Sequence, residues 1–324
     1  MPKTMPHKLI LAAATFALST IASGSPALAD TALTVGKAAA NADPIIPVNV
    51  GDKLGIFKKH GLDLKIVDFT GGSKMTQAMT AGAIDIGDGA GTEMALVAKG
   101  VPMVAVCESA TTFPFLAVGV PADSPLKSLD DLKGKKIGIS SSGSLTDWLS
   151  RELSRVKGWG PDGVTAVAIG NGASAIVSAM RDHLVDADIG ETGLFLNMEE
   201  KKTGRLLAPV SDFEGAAASG TLYASRHLVE TNPAAIRTFI VAWLETMDYI
   251  RGHREETAKI ESEITGNPES VMLRDYDVTK SMYTKNCKFD KESLATLKRT
   301  FVDLKLLDHV PDMSTLYTEA YLPK

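Results

Sequence analysis

Residues 69–100, FTGGSKMTQAMTAGAIDIGDGAGTEMALVAKG, carry one local phrase written twice. An apolar run at 62–67 leads into the turn Gly71-Gly72-Ser73 and then Met75, Ala78 and Met79 at helical spacing. A second run at 83–86 leads into Asp88-Gly89-Ala90-Gly91-Thr92 and then Met94, Ala95, Leu96 and Val97, with Gly100 as a stop. Strand, turn and helix in quick succession leave little choice of architecture, because strands joined through helices pair in parallel. In a parallel sheet both turns fall on one edge, where the first N–H groups of each helix lack internal partners. Glycine at such turns lets a ligand approach the backbone closely. One such turn alone is ordinary capping by Ser or Thr. Two side by side, with a matching set further along, predict a ligand-binding edge.

The first 29 residues stand apart. Lys3, His7 and Lys8 precede an apolar run at 9–21, and Ala27-Leu28-Ala29 fits a small-residue cleavage site, so 1–29 is expected to be a cleaved signal peptide. The run is short for a bilayer-spanning helix, and no cysteine near the cut offers a lipid attachment point. No later run approaches the ~18 apolar residues of a membrane span. Losing Lys3 and Lys8 moves the formal net charge from −5 to −7. That balance argues against nucleic acid or an anionic membrane as a partner. A chain of 324 residues is awkward as one core, and two lobes of roughly 150 residues are expected.

From 31 to 107 the rhythm is βαβαβαβ, with a first strand at 31–36 and an exit loop running from Lys37 to Asn41. An apolar strand at 115–120 runs into Pro121-Ala122-Asp123-Ser124-Pro125, which reads as a domain boundary. A second series follows: strand 136–139, the turn Ser140-Ser141-Ser142-Gly143, and a helix capped by Ser144 with Asp147 three residues on. Strand 164–169, the turn Gly170-Asn171-Gly172 and a helix with Ile176, Val177 and Met180 repeat the unit, and strand 184–189 leads to Glu191-Thr192-Gly193. The small-residue stretch 215–220 reads as a second crossing segment. Asn232-Pro233 then opens the strongest amphipathic helix, with Ile236, Phe239, Ile240, Trp243, Leu244, Met247 and Ile250 on one stripe. Weaker helices are expected at 255–264, 268–273 and 290–306. The implied order is lobe 1 from 30–118 and 222–324, and lobe 2 from 119–221, hinged at two crossing strands.

Beyond the leader, His60, His183, His227, His253 and His309 show no metal-ligand spacing, so no metal site is expected. No Gly-x-Ser-x-Gly elbow or Walker loop occurs. Gly170-x-Gly172-x-x-Ala175, with Asp186 or Asp188 as the acid, fits a dinucleotide fingerprint only loosely, in a lobe too small for the full sheet. The chain therefore does not read as an enzyme, and no catalytic residue or cofactor is expected. Asp88, Asp188 and Glu191 each sit at a strand end or helix start, where capping is the ordinary role. Lys37 is the one basic residue placed to meet a ligand edge-on. Cys107 and Cys287 lack metal-ligand spacing, and an oxidising compartment permits a bridge. Cys107 ends a strand-like apolar run, however, and free buried thiols are the expectation.

The segments GIFKKHGLDLKIV, GGSKMTQAM, GAIDIGDGAGTEM, SLDDLKGKKIGISSSGS and HLVDADIG, in that order, resemble the periplasmic substrate-binding proteins of the nitrate/sulfonate/taurine and thiamine-pyrimidine-precursor group. The likeness covers most of 30–225. It implies an α/β, two-lobed type II periplasmic binding fold of the Venus-flytrap kind, with two mixed sheets flanked by helices and joined by two crossing strands. It also implies the positions that line the pocket: Lys37 and Asn41; Gly71, Gly72 and Ser73; Asp88, Gly89, Ala90, Gly91 and Thr92; and Ser140, Ser142, Gly143, Ser144 and Thr146. Thr112 at the first crossing and Asn171, Asp188 and Glu191 in lobe 2 complete the expected ligand set. Sulfonate-type members carry aromatic residues and an Asp-Pro after the lobe-two strand, where this chain has Asp188, Gly190, Glu191, Thr192 and Gly193, so a sulfonate does not carry over. The cysteine cluster of the pyrimidine-synthase relatives is absent. The expected function is the periplasmic substrate-binding component of an ABC importer, a monomer that hands a small organic solute to the membrane permease. The run 140–146 opposite Lys37 favours an anionic solute. A zwitterionic or pyrimidine-like ligand, or a sensory subunit, are the alternatives.

Overall fold

The computed structural model describes Met1 and residues 30–69, 71–142 and 144–324; the rest of the expected signal peptide and Gly143 lie outside the described residues. The first series alternates β1 (Thr31–Lys37), α1 (Pro47–Lys53), α2 (Ile56–Lys59), β2 (Leu62–Asp68), α3 (Gly72–Thr80), β3 (Ile86–Gly89), α4 (Met94–Ala98) and β4 (Met103–Ala110). The second comprises β5 (Leu116–Pro121), β6 (Lys136–Ile139), α5 (Leu145–Val156), β7 (Thr165–Ala168), α6 (Ala173–Arg181), β8 (Ala187–Glu191), α7 (Thr192–Glu200) and β9 (Gly204–Pro209). The chain then returns as β10 (Gly220–Ser225), α8 (Arg226–Thr231), α9 (Pro233–Gly252), α10 (Arg254–Thr265), α11 (Glu269–Thr279) and α12 (Lys291–Asp303).

Two five-stranded sheets result, ordered β2-β1-β3-β10-β4 and β7-β6-β8-β5-β9. Within the first, β1 pairs in parallel with β2 and β3, while β10 runs antiparallel between β3 and β4. The second repeats this plan, with β6 parallel to β7 and β8 and β5 antiparallel between β8 and β9. The expected two-lobed α/β fold with mixed sheets is thus present. Its crossings lie elsewhere than expected. Val118 belongs to a strand wholly in the second sheet, and Gly220 and Thr221 belong to the first. The connectors are therefore 111–115 and 210–219, held together by Ala217 N–H to Thr111 O at 2.9 Å and Ser219 Oγ–H to Thr112 O at 2.5 Å. Pro121 closes β5 beside Gly204 of β9, beyond the reach of β8, where a missing N–H is tolerated. Pro121 ends a strand and Pro125 lies in the loop after it; they do not mark the boundary.

The apolar stripe of α9 packs as its spacing requires: Ile236, Phe239, Ile240, Trp243, Met247 and Ile250 are buried, with Phe239 stacked on Phe57 at 5.1 Å. Asn232 caps it by accepting the Ala235 N–H at 3.2 Å, and Pro233 opens it. The C-terminal helices do not all stay with the first lobe. Leu196 of α7 packs with Ala258, Val271 and Met272 of α10 and α11, and Arg274 pairs with Glu199 at 2.7 Å. On the opposite side Arg299 of α12 reaches Glu152 of α5 at 3.2 Å.

The cysteines correct a second expectation. Cys107 and Cys287 form a disulfide with Cα atoms 4.5 Å apart, across 180 residues of chain. Cys107 is buried, as its apolar run implies. It lies, however, on β4, whose outer edge is covered by a C-terminal loop: Glu108 N–H donates to Cys287 O at 3.1 Å and Thr284 N–H to Ser109 O at 3.0 Å. A strand edge must find partners for its backbone groups, and satisfying this one delivers the second thiol.

Candidate functional site

The parallel strands of each sheet end where the connectors begin, so their carboxyl edges face one another. In the first lobe the run at 83–86 predicts a strand ending at Ile86, whereas β3 extends to Gly89. Gly87 and Gly89 allow this, because Met79 Sδ and Met75 Cε press where their side chains would be. Asp88 is consequently in the strand and fully buried, with no partner on either carboxylate oxygen. Burial pushes its pKa well above the usual carboxylate range, opposed by the Lys37 charge on the neighbouring strand. Lys37 does not present a free ammonium to the cleft. It is 1% exposed, donates to Ala40 O and Asn49 Oδ1 at 2.5 Å each, and pairs with Asp68 at 3.1 Å. Asn41 is exposed in the loop beyond.

Glu93 escapes the sequence reading and reshapes the first two turns. It is buried, and its carboxylate accepts the Ala90 N–H and the Thr92 hydroxyl, both at 3.1 Å. A Cβ on Gly72 would sit 1.5 Å from Glu93 Oε1, so that oxygen lies directly against the first turn of α3. Gly71 and Gly72 admit a carboxylate of the protein itself, with Ser73 exposed beside them. Burial raises the Glu93 pKa, against the pull of its own backbone N–H, the Thr92 hydroxyl and the Ala90 N–H. The second turn is a single 3₁₀ turn, Gly91–Glu93, ahead of the five-residue α4, and Gly91 N–H is taken by Ala218 O of the connector at 2.8 Å. Spacing gave no sign of Glu93, because only the folded pairing of two turns brings it onto Gly72.

In the second lobe Ser144 caps α5 as its sequence predicts, accepting the Asp147 N–H at 3.3 Å. The hydroxyls of the serine-rich turn bond chiefly to one another: Ser140 to Ser144 at 2.9 Å and to Thr146 at 3.0 Å, with Thr146 Oγ1 also taking the Ser140 N–H at 2.8 Å. Ser142 is exposed, and Asn171 is exposed on the outer turn after β7. Asp188 is buried within β8 against Gly138, whose Cβ position is 2.3 Å from Asp188 Oδ1. Burial lifts its pKa to about 7. Between the lobes a narrow pocket of about 20 Å³ is lined by Ala90 and Thr92, by Phe113 and Ala218 of the connectors, by Leu145 and Trp148 of α5, and by Leu297 of α12. The Trp148 indole N–H is buried there without a partner.

A group of acids gathers at the other side of the cleft, and sequence reading named only Glu191 among them. Asp43 follows β1, Glu191 ends β8, and Glu261 and Asp275 come from α10 and α11. Burial raises all four, Glu191 to about 7, Glu261 to about 8 and Asp275 to about 6, with Asp43 also pushed well up; the Asp275 charge adds to the rise at the other three, while hydrogen bonding to Asp43 opposes it at Asp275.

Residues 43–257 match the family described as NMT1/THI5 like. The chain belongs to the NMT1/THI5-like family. A binding protein of Brucella abortus is 29% identical to this NMT1/THI5-like chain over 213 residues, 65% of either protein, so the chain spans less than two thirds of that relative's length. A 4-amino-5-hydroxymethyl-2-methylpyrimidine phosphate synthase of Saccharomyces cerevisiae is 31% identical over 224 residues, 63% of either protein. The periplasmic aliphatic sulphonate binding protein SsuA of Escherichia coli superposes with a TM-score of 0.73 at 20% identity, covering 89% of this chain and 92% of that one, and shares the fold. Among the described residues no helix is long and apolar enough to cross a membrane.

Proposed function

We propose that the protein is the solute-binding component of an ABC-type importer, taking a small organic solute between its lobes in the periplasm and passing it to membrane permease subunits. One observation carries this reading: two sheets of identical plan turn their strand ends toward a shared pocket, and only two short connectors join them on the chain. Such a hinge lets the lobes close on a solute. The family match and the fold shared with SsuA support it. An enzyme is the second reading, favoured by the yeast synthase relative. Against it, the two cysteines are consumed in a disulfide, and among the described residues of the site no hydrogen bond joins a nucleophile to a base.

The test is a thermal-shift screen over amines, amidines, pyrimidines, carboxylates, sulfonates and nitrate, followed by small-angle scattering on any hit. A solute at 100 times its dissociation constant adds about 2.7 kcal/mol of stability. Trp148 fluorescence should change on closure, because its ring lines the pocket. A hit that compacts the protein and is recovered unchanged supports the receptor; a hit that is consumed supports the enzyme.

A further inference from the structure

Three separately placed elements wall the interlobe pocket: Trp148 comes from α5, Thr296 and Thr300 from α12, and Ala217 from the second connector. At about 20 Å³ it has room for one group the size of a water molecule, so an organic solute is admitted only when these walls part. The same three elements are tied together by charge. Arg299 of α12 donates to Glu152 of α5 at 3.2 Å and stands 3.8 Å from Glu214 of the connector. Glu152 is 2% exposed and Glu214 7%. Arg155 also holds Glu152, through bonds of 2.7 and 2.5 Å within α5, so that acid stays in place when α12 moves.

The two flanks of the cleft are held differently. On the far side α10 and α11 meet α7 through Leu196, Ala258, Val271 and Met272, and parting them exposes apolar surface to water. Between α5 and α12, Trp148 and Leu297 belong to separate apolar clusters, and an ion pair joins the two helices. Breaking that pair returns charges to water, and the Arg299 side chain is already 42% exposed. The flank bound by charge is therefore the one that opens at the smaller cost.

We propose that Arg299, with Glu152 and Glu214 as its two receivers, is the latch of the solute site: a positioning residue of the first lobe that holds the second lobe closed over the pocket. This rests on the receptor reading above and adds the residue that governs closure. Facing Glu214 are the charged groups Glu152 of α5 and Arg299 of α12, with Arg155 beside them and Asp303 of α12 acting on Arg155. Burial and Glu152 raise Glu214 to about 7, and the Arg299 charge opposes the rise. Withdrawing α12 removes that opposition, so the open form holds the Glu214 proton more firmly. Closure accordingly favours ionised Glu214, and the latch tightens as pH rises through 7.

The processed, disulfide-intact protein, freed of carried-over solute, is spin-labelled at Val156→Cys on α5 and Ala295→Cys on α12, both exposed, and the distance between labels is read at about pH 5.5 and about pH 8.5. The widely spaced population should shrink at the higher pH. Arg299→Gln should enlarge it about two- to fivefold there, and Arg299→Lys should restore part of the closed population. Glu214→Gln leaves the bond from Arg299 to Glu152 and should remove the response to pH. The melting temperature of Arg299→Gln should stay close to wild type; a lower one with unchanged label distances makes Arg299 a prop of the fold and overturns the latch. Equal distances in wild type and Arg299→Gln overturn it too, as does a pH response that survives in Glu214→Gln. All of this is read without solute, so either result leaves the receptor standing; that reading falls only if no compound of the thermal-shift screen binds and compacts the protein.

Discussion

The two lobes share one sheet plan, yet they treat the same buried acid differently. Asp88 on β3 and Asp188 on β8 occupy equivalent places, each on the strand between the antiparallel insert and the first parallel strand. Across from Asp88 stands Lys37; across from Asp188 stands Gly138, without a side chain. The first lobe therefore meets its buried carboxyl with a charge, and the second meets it with space. The first lobe is also closed by a disulfide, and among the described residues the second has no covalent counterpart. Burial raises both carboxyls, and only in the first lobe does a charge on the neighbouring strand oppose that rise.

The largest way to break this contrast is to open the disulfide. Cys107→Ser with Cys287→Ser should cost about 2–5 kcal/mol, and hydrogen exchange should quicken in β4 and β10 while β6 and β8 keep their protection. Equal melting of the oxidised and reduced proteins would sink this. Next comes Lys37→Met, which removes the charge opposite Asp88 and the bonds to Asn49 and Ala40, for a loss of ~3 kcal/mol in denaturant unfolding. In the second lobe Asp188→Asn should cost far less and become stabilising above neutral pH. If the two substitutions cost the same, the lobes do not differ as described.

A third prediction concerns pH. Asp188, Glu191 and Glu108 are each raised to about 7 and Glu261 to about 8, above an unfolded carboxyl near ~4. The folded chain therefore holds protons that the unfolded chain has released. The stabilisation is full below the unfolded value and is lost as pH rises through 7 and 8, at up to ~1.4 kcal/mol per pH unit for each group. The unliganded melting temperature should fall between pH 5 and 8, less steeply in Asp188→Asn; a flat or rising profile contradicts these values. The smallest effect is expected from Arg299→Gln. Arg299 links α12 to Glu152 of α5 and to Glu214 of the second connector at 3.8 Å, but its side chain is 42% exposed. Its loss should weaken solute binding about two- to fivefold, measured at low and high salt.

The succession of strands and helices and the α9 stripe were legible because they depend on short-range patterns: alternation, glycine and proline placement, and a 3.6-residue period. The crossings were misplaced by a few residues because Pro121–Pro125 has the composition of a linker, although Pro121 still pairs with Gly204. The positions of Asp88, Asp188 and Glu191 at the ends of strands were legible from the apolar runs before them. Glu93, Asp43, Glu261 and Asp275 were not. Each meets neighbours distant in sequence or on a separate turn, and a lone acid on a helix such as Glu261 looks like any solvated face. The disulfide was hidden for the same reason, since its partners meet only after the C-terminal loop covers β4.

Glu93 has a further consequence for any solute that approaches α3. Its carboxylate is tethered two short turns away from Gly72, so it competes from within the molecule. A tethered group presents itself at an effective concentration of the order of millimolar or more, whatever the composition of the surroundings. Any group that approached the first turn of α3 would therefore meet a carboxylate already seated against Gly72.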